Sequence, residues 1–335
     1  MLQKYEPSRV PAKKLVNGDL IPMLGLGTFG SDRYSAEQIA EAVNYAIKIG
    51  YRHIDCATVY QNEKEIGHAL QKLYSDGVVE RKDLWITGKV WNDQHNEVEK
   101  ACDQSLKDLQ TDYLDLYLVH WPFPNYHAPG CSGVSRNPGS VPFRVNDYMK
   151  TWKQMEVVKI AGKVRNIGTS NMTKAKLQAV IPLMEIKPVV NEMELHPTFQ
   201  QESLYNYLLS QNITPLGFSP IGSPGRPDRD KTPEDAVDTE DPVIQRISRR
   251  LNIHPAVACI KWGVQRGHIV IPFSVKPEQI MSNLKGVVEN RINEDEMKDM
   301  KNADRGSRLI KGQVFLWEGA NGWEDLWDLN GVITQ

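Results

Sequence analysis

Strand-like and helix-like apolar patterns alternate along most of this 335-residue chain, and this alternation restricts the fold more than any other feature. Strand patterns occur at MLGLG (23–27), RHID (52–55), LWITGKV (84–90), DYLDLYLVH (112–120), KVRNIGTS (163–170), KPVVNEM (187–193), ITPLGFS (213–219) and HIVIPFS (268–274). Helical patterns fall between them, including 62–74, 97–109, 145–162 and 173–181. Alternating βα units build a parallel sheet, and about eight of them predict a (β/α)8 TIM barrel. A doubly wound sheet needs fewer strands and a GxGxxG turn; LGLGTFG matches that turn only in part and lacks a well-placed acidic ribose partner downstream. Before the first barrel strand, KLVNGDLIP holds two short runs around Asn17-Gly18, a hairpin signal. Ser35 and Gln38 form a capping-box pattern, with Ile39, Val43, Ala46 and Ile47 on one face of a helix ending near Gly50.

Three segments exceed ordinary connections. Residues 121–144 are rich in Pro, Gly and Ser, and residues 222–241 in Pro and charge. They follow strands 4 and 7 and are expected at the C-terminal barrel face, where active sites lie. The tail from Asp304 carries Phe315, Trp317, Trp323 and Trp327. Its aromatics are expected to wall off a pocket, the alternative being a packing latch over the rim. One domain is expected over 1–335, with the tail from about 304 folding over the active-site face.

Charged content of 24 % and a net charge of −2 lack the basic footprint of a nucleic-acid binder. No apolar run approaches the ~18–20 residues of a membrane helix. The N-terminal residues lack a signal-peptide pattern, and Cys56, Cys102, Cys131 and Cys259 are scattered without metal-like spacing. A cytoplasmic protein with free thiols is expected, and the N-x-T triplets at Asn171 and Asn212 are read as chance matches.

Four polar residues sit where successive strand patterns end. Asp55 closes YRHID, Tyr60 lies in the following loop, Lys89 closes LWITGK and His120 closes YLDLYLVH. A free phenol has a pKa of about 10, too high for an efficient acid near neutrality. An ammonium at Lys89, held by the Asp55 carboxylate, is expected to lower it. His120 then aligns a carbonyl while Tyr60 supplies the proton. Taken singly, each residue reads as packing: a barrel ion pair and a rim aromatic. Together at neighbouring strand ends they read as a carbonyl-reducing centre. A rival assembles His53, Asp55, His120 and His196 around a divalent metal. It leaves Tyr60 and Lys89 without a role, and His53 is expected to be a core residue, so no metal site is expected.

These stretches resemble the aldo-keto reductase superfamily, in its aldose reductase-like branch. GYRHIDCATVYQNEKEIGHAL, LDLYLVHWP, GKVRNIGTSNM, NEMELHP, GFSPIGSPGRP and VIPFSVKPEQIMSN match the family's blocks in order. The resemblance implies a barrel with an N-terminal hairpin plug that reduces aldehydes or ketones with NADPH. It carries the catalytic tetrad onto Asp55, Tyr60, Lys89 and His120. Carboxamide contacts fall on Ser170, Asn171 and Glu192, and a nicotinamide-stacking aromatic on Phe218. The remaining cofactor positions are Gly27, Thr28, Phe29, Asp55, Ser219, Pro220, Ile221, Ser223, Ile271, Pro272, Phe273, Ser274, Val275, Gln279 and Asn283. Phe29, Val59, Trp91 and Trp121, with Tyr60 and His120, line the implied carbonyl pocket.

Two departures stand out. The family's two cations for the ribose 2′-phosphate are replaced by Phe273 and Gln279, which leads to an expectation of appreciable NADH use, with Lys276 and Ser274 as compensators. Glu192 stands where the family commonly has Gln, and a carboxylate cannot donate to a carboxamide oxygen unless protonated. Sugars, lipid-derived aldehydes, methylglyoxal-like compounds and ketoacids all remain candidate substrates, and polyol oxidation a candidate direction. A nucleotide-sensing regulatory subunit is the alternative from another class; the intact tetrad speaks against it. The branch implies a monomer.

Overall fold

A computed structural model describes residues 3–30, 32–128, 131–226, 228 and 231–334. The chain opens with an antiparallel hairpin, β1 (Ala12–Lys14) and β2 (Leu20–Pro22), in the register Ala12↔Pro22. Gly18 makes the turn at φ +95°, a conformation that suits glycine. The hairpin is tied to one end of the sheet. Asn17 Nδ2 donates to Asn166 Oδ1 at 2.8 Å, and Asn166 Nδ2 donates to Asp19 Oδ2 at 2.8 Å.

Eight parallel strands among the described residues follow in chain order as neighbours: β3 (Leu26–Gly27), β4 (His53–Asp55), β5 (Trp85–Val90), β6 (Leu116–Val119), β7 (Ile167–Ser170), β8 (Val190–Glu194), β9 (Thr214–Phe218) and β10 (Ile269–Val270). A parallel bridge between Leu24 and Val270 closes the ring. The N–H of Val270 donates to the Met23 carbonyl and that of Gly25 to the Val270 carbonyl, each at 2.9 Å, and that of Gly27 to the Pro272 carbonyl at 3.0 Å. This is the expected (β/α)8 barrel. Formal pairing in β10 is shorter than the HIVIPFS pattern because Pro272 has no N–H to continue the ladder.

The α-helices among the described residues are α1 (Ala36–Ile49), α2 (Glu63–Ser75), α3 (Val98–Asp108), α4 (Val145–Ile160), α5 (Lys174–Val180), α6 (Glu202–Ser210), α7 (Pro242–Leu251), α8 (Pro255–Arg266), α9 (Pro277–Val288), α10 (Glu294–Asp299) and α11 (Glu324–Trp327). The Ser35–Gln38 capping box opens α1, and Ile39, Val43, Ala46 and Ile47 are buried along it, as their spacing predicts. All residues of β5, β6 and β8 are buried, since strands of a barrel are covered on both faces. No helix among the described residues is long and apolar enough to cross a membrane.

Two buried polar clusters fasten the C-terminal segment. Glu194 at the end of β8 accepts the N–H groups of Leu309 and Ile310 at 2.8 and 3.1 Å. His196 lies 3.0 Å from Glu194 and 2.9 Å from Asp238 in the loop after β9. Lys176 of α5 reaches Asp328 at 2.6 Å and donates to the Leu326 carbonyl at 2.8 Å. Trp327 therefore acts as part of a latch, with its indole N–H on the Lys311 carbonyl at 2.7 Å and Arg308 stacked 3.4 Å above its ring.

Burial opposes the imidazolium of His196, yet Asp238 and Glu194 hold its pKa up at about 9. A folded value above the ordinary 6.5 gives stability that is complete below 6.5 and lost as pH rises through about 9. The stability gap between wild type and His196→Gln is expected to close by on the order of 3 kcal/mol over that range. Thermal unfolding across neutral to alkaline pH measures it; a constant gap contradicts the assignment.

Candidate active site

Asp55 ends β4, Lys89 is the penultimate residue of β5 and His120 follows β6, while Tyr60 closes a single turn, Thr58–Tyr60, after β4. Parallel pairing puts these ends at one rim. Lys89 Nζ donates to Asp55 Oδ1, to the Cys56 carbonyl at 3.2 Å and to the Tyr60 hydroxyl at 3.4 Å. Lys89 and Asp55 are 0 and 1 % exposed, whereas Tyr60 and His120 keep 9 and 8 %. The ion pair thus lies behind the phenol and imidazole, which face the opening. The Tyr60 and His120 rings meet edge-on at 5.7 Å.

Burial pushes the Tyr60 hydroxyl up, and the Lys89 ammonium opposes but does not overcome it. This corrects the expectation of a lowered phenol: burial keeps the Tyr60 hydroxyl protonated. Burial disfavours the charged Lys89, but Asp55 and Glu192 beside it hold its pKa well above the ordinary value. Burial, Lys89 and His95 push His120 well below its ordinary value, leaving a neutral imidazole at neutral pH.

The positions implied for the cofactor surround the same rim. Gly27 ends β3, and Thr28 donates to the Asp55 carbonyl at 2.8 Å. Ser170 ends β7, and Asn171, at φ +57°, donates to the His120 carbonyl at 2.9 Å and to Ser170 Oγ at 3.2 Å. Phe218 ends β9; Ser219, Pro220, Ile221 and Ser223 continue from it, with Ser219 Oγ donating to Ser223 Oγ at 3.1 Å. Ile271, Pro272, Phe273, Ser274 and Val275 follow β10, while Gln279 and Asn283 lie on α9. Asn171 Oδ1 is buried without a hydrogen-bond partner, as an acceptor awaiting a carboxamide NH2 would be; Glu192, on β8, has its Oε1 3.6 Å from Lys89 Nζ. The residues present therefore fit a nicotinamide cofactor at that end.

Its far end differs. The Phe273 ring packs 5.9 Å from Tyr34 and over Gly30, where an added Cβ would lie 2.2 Å from it. Gln279 is exposed and accepts from Ser274 Oγ at 2.7 Å. Neither position presents a cation, and Lys276 is exposed beside them.

At the positions implied for the substrate, Phe29 stands 5.2 Å from Tyr60, and Trp91 stands 5.0 Å from His120 and 5.9 Å from Phe315 of the tail. Trp121 touches Phe315 at 4.5 Å and Trp327 at 5.7 Å. Val59 is half-buried in the turn before Tyr60. Among the tail aromatics, Phe315 meets Trp91 and Trp121, while Trp327 meets Trp121 and carries the latch contacts. Asn62, not singled out from sequence, donates to the Thr28 carbonyl at 2.9 Å and braces the loop carrying Phe29; no local pattern marks such a bond.

The rival constellation is not assembled. His53 Nδ1 lies 3.2 Å from the Pro22 carbonyl and its Nε2 3.3 Å from Thr87 Oγ1, while His196 belongs to its own cluster. Among the described residues no group of three or more His, Cys, Asp or Glu is arranged to hold a metal ion.

The sequence model of the Aldo/keto reductase family matches residues 23–305. The chain belongs to that family. Aldo/keto reductase slr0942 of Synechocystis is 37 % identical over 317 residues, 94 % of this chain and 95 % of its own length. Aldo-keto reductase family 1 member A1-A of Danio rerio is 37 % identical, over 93 % and 94 %. The crystal structure of Bombyx mori aldo-keto reductase (AKR2E4) in complex with NADP superposes with a TM-score of 0.78 at 29 % identity, covering 92 % and 96 %. This aldo-keto reductase is accordingly an oxidoreductase of a family that uses NADP(H) on small carbonyl compounds.

Removing Asp55 leaves a fully buried ammonium with Glu192, 3.6 Å away, as its remaining carboxyl neighbour. Asp55→Ala is expected to lose about 3 kcal/mol of stability, as broken buried pairs do. Urea unfolding measures this; a loss below ~1 kcal/mol would show that Glu192 takes over fully.

Proposed function

We propose that this aldo-keto reductase reduces aldehydes or ketones to alcohols with Tyr60 as the proton donor, in the manner of the aldose reductase-like branch. The observation that carries this reading is the Lys89 ammonium held between Asp55 and the Tyr60 hydroxyl at the barrel rim. A bound nicotinamide cofactor supplies the hydride. The protein's residues do the rest: neutral His120 orients the carbonyl oxygen, and Tyr60 passes its hydroxyl proton to that oxygen as charge develops there. Lys89 stabilises the resulting phenolate, and Asp55 keeps Lys89 in place and charged. Phe29, Trp91, Trp121 and Phe315 offer aromatic faces and keep water from the site, which favours substrates with an apolar portion.

A positioned general acid contributes roughly 10²–10⁴-fold in rate. Tyr60→Phe should therefore lose activity in that range while cofactor affinity stays within roughly twofold, because the ring is kept and only a hydroxyl is removed. Steady-state rates together with fluorescence titration of the cofactor test this, and retained turnover would remove Tyr60 as the acid.

We further propose that NADH is used appreciably beside NADPH. A hydrogen bond to a charged group is worth about 1.5–3 kcal/mol, so absence of two cations at 273 and 279 removes roughly a hundredfold or more of discrimination for the 2′-phosphate. Dissociation constants for NADPH and NADH are expected within roughly a hundredfold of each other. NADPH binding tighter by several orders of magnitude would mean that Lys276 or another cation restores recognition.

A further inference from the structure

Glu192 lies in the middle of β8 with its side chain 3 % exposed. Its Oε1 stands 3.6 Å from Lys89 Nζ, so one buried ammonium faces two carboxyl groups. The second carboxyl is that of Asp55, whose Oδ1 accepts from the same Nζ. Asp55 Oδ2 and Glu192 Oε2 are both buried without a hydrogen-bond partner. Two carboxylates cannot satisfy one another, because each only accepts. One proton on the pair makes one carboxyl a donor and leaves a single negative charge against Lys89. Where two carboxylates share a dry site, one of them is strongly favoured in its protonated form.

We infer that Asp55 and Glu192 share one proton, and that Glu192 is a positioning residue that sets how strongly Lys89 supports Tyr60. The other groups facing the pair leave little alternative. Tyr60 follows β4, Lys89 comes from β5 and neutral His120 follows β6. At the end of β7 stand uncharged Ser170 and Asn171, and β9 ends in Phe218. Glu194, two residues along β8, is committed to His196, Leu309 and Ile310. Lys89 is thus the one cation at the pair among the described residues. Burial and the neighbouring Asp55 raise the Glu192 carboxyl to about 8, with Lys89 opposing, in line with a carboxylic acid that persists at neutral pH.

The consequence concerns the proton donor. With the pair singly charged, Lys89 is balanced by one counter-charge and its remaining field acts on Tyr60. When the shared proton leaves to solvent at alkaline pH, a second negative charge draws on Lys89, and the Tyr60 hydroxyl becomes a weaker acid.

The inference about tuning rests on the reductase reading; the shared proton does not. Infrared difference spectroscopy of unliganded protein at neutral pH, wild type against Glu192→Gln, reads the carboxylic-acid C=O stretch directly. A buried acid band present in wild type and missing in the variant is expected; no such band overturns the shared proton. Thermal unfolding supplies a second readout. A carboxyl raised from 4.5 to about 8 gives stability that is complete below 4.5 and lost as pH rises through about 8, whereas glutamine gives no such loss. Glu192→Gln should therefore gain on wild type as pH increases from about 5 to about 9, and a flat difference overturns the assignment. In turnover, the alkaline fall of kcat should begin at lower pH in wild type than in Glu192→Gln; superimposable profiles overturn the tuning of Tyr60. A protein that shows the acid band but reduces no carbonyl compound would support the pair and overturn the reductase reading.

Discussion

The buried ammonium of Lys89 is the constraint around which the rim of this barrel is organised. A fully enclosed cation is tolerable only where carboxylate and carbonyl oxygens replace its water, and Asp55, the Cys56 carbonyl and the Tyr60 hydroxyl supply them. Meeting that requirement fixes the end of β4 against the end of β5. The Thr58–Tyr60 turn must then return its phenol over the ammonium. A structural need and the proposed catalytic arrangement are therefore met by the same contacts, and the neutral state of Tyr60 follows from burial outweighing the nearby charge.

Around this centre the barrel uses its two ends differently. At the hairpin end, Asn17, Asp19 and Asn166 pin the plug in place with short polar contacts. At the other end the loops and the tail are held by charge: Glu194, His196 and Asp238 join β8 to the segment at 309–310, and Lys176 fastens Asp328. These anchors stand at the strand and helix ends that carry the site, so Phe315 reaches the wall formed by Trp91 and Trp121 on a fixed support.

Much of this was legible in the chain. Eight strand patterns separated by helical ones lead to the barrel because parallel strands covered on both faces require near-continuous apolar runs. Asn17-Gly18 marks the hairpin, and Ser35 with Gln38 marks the start of α1, since turns and caps depend on a few adjacent residues. The candidate tetrad was readable because Asp55, Lys89 and His120 lie at strand ends with Tyr60 in the loop that follows one of them, and a parallel barrel gathers such ends at one rim. The direction of the Tyr60 shift was not readable. It depends on how completely neighbouring segments exclude water, and residue identity alone does not report that.

By itself, the sequence determined the order of the elements, the rim on which polar groups converge, and the absence of the two expected cations at positions 273 and 279. Those properties follow from periodicity and side-chain chemistry, which are local. Tertiary structure alone decided that Phe273 packs on Tyr34 and Gly30, that Phe315 packs on Trp91 while Trp327 joins the latch, and that Glu192 faces Lys89. Each of these joins residues tens to hundreds of positions apart. The charge of a buried carboxyl depends on the partners that the closed barrel places within a few ångströms of it.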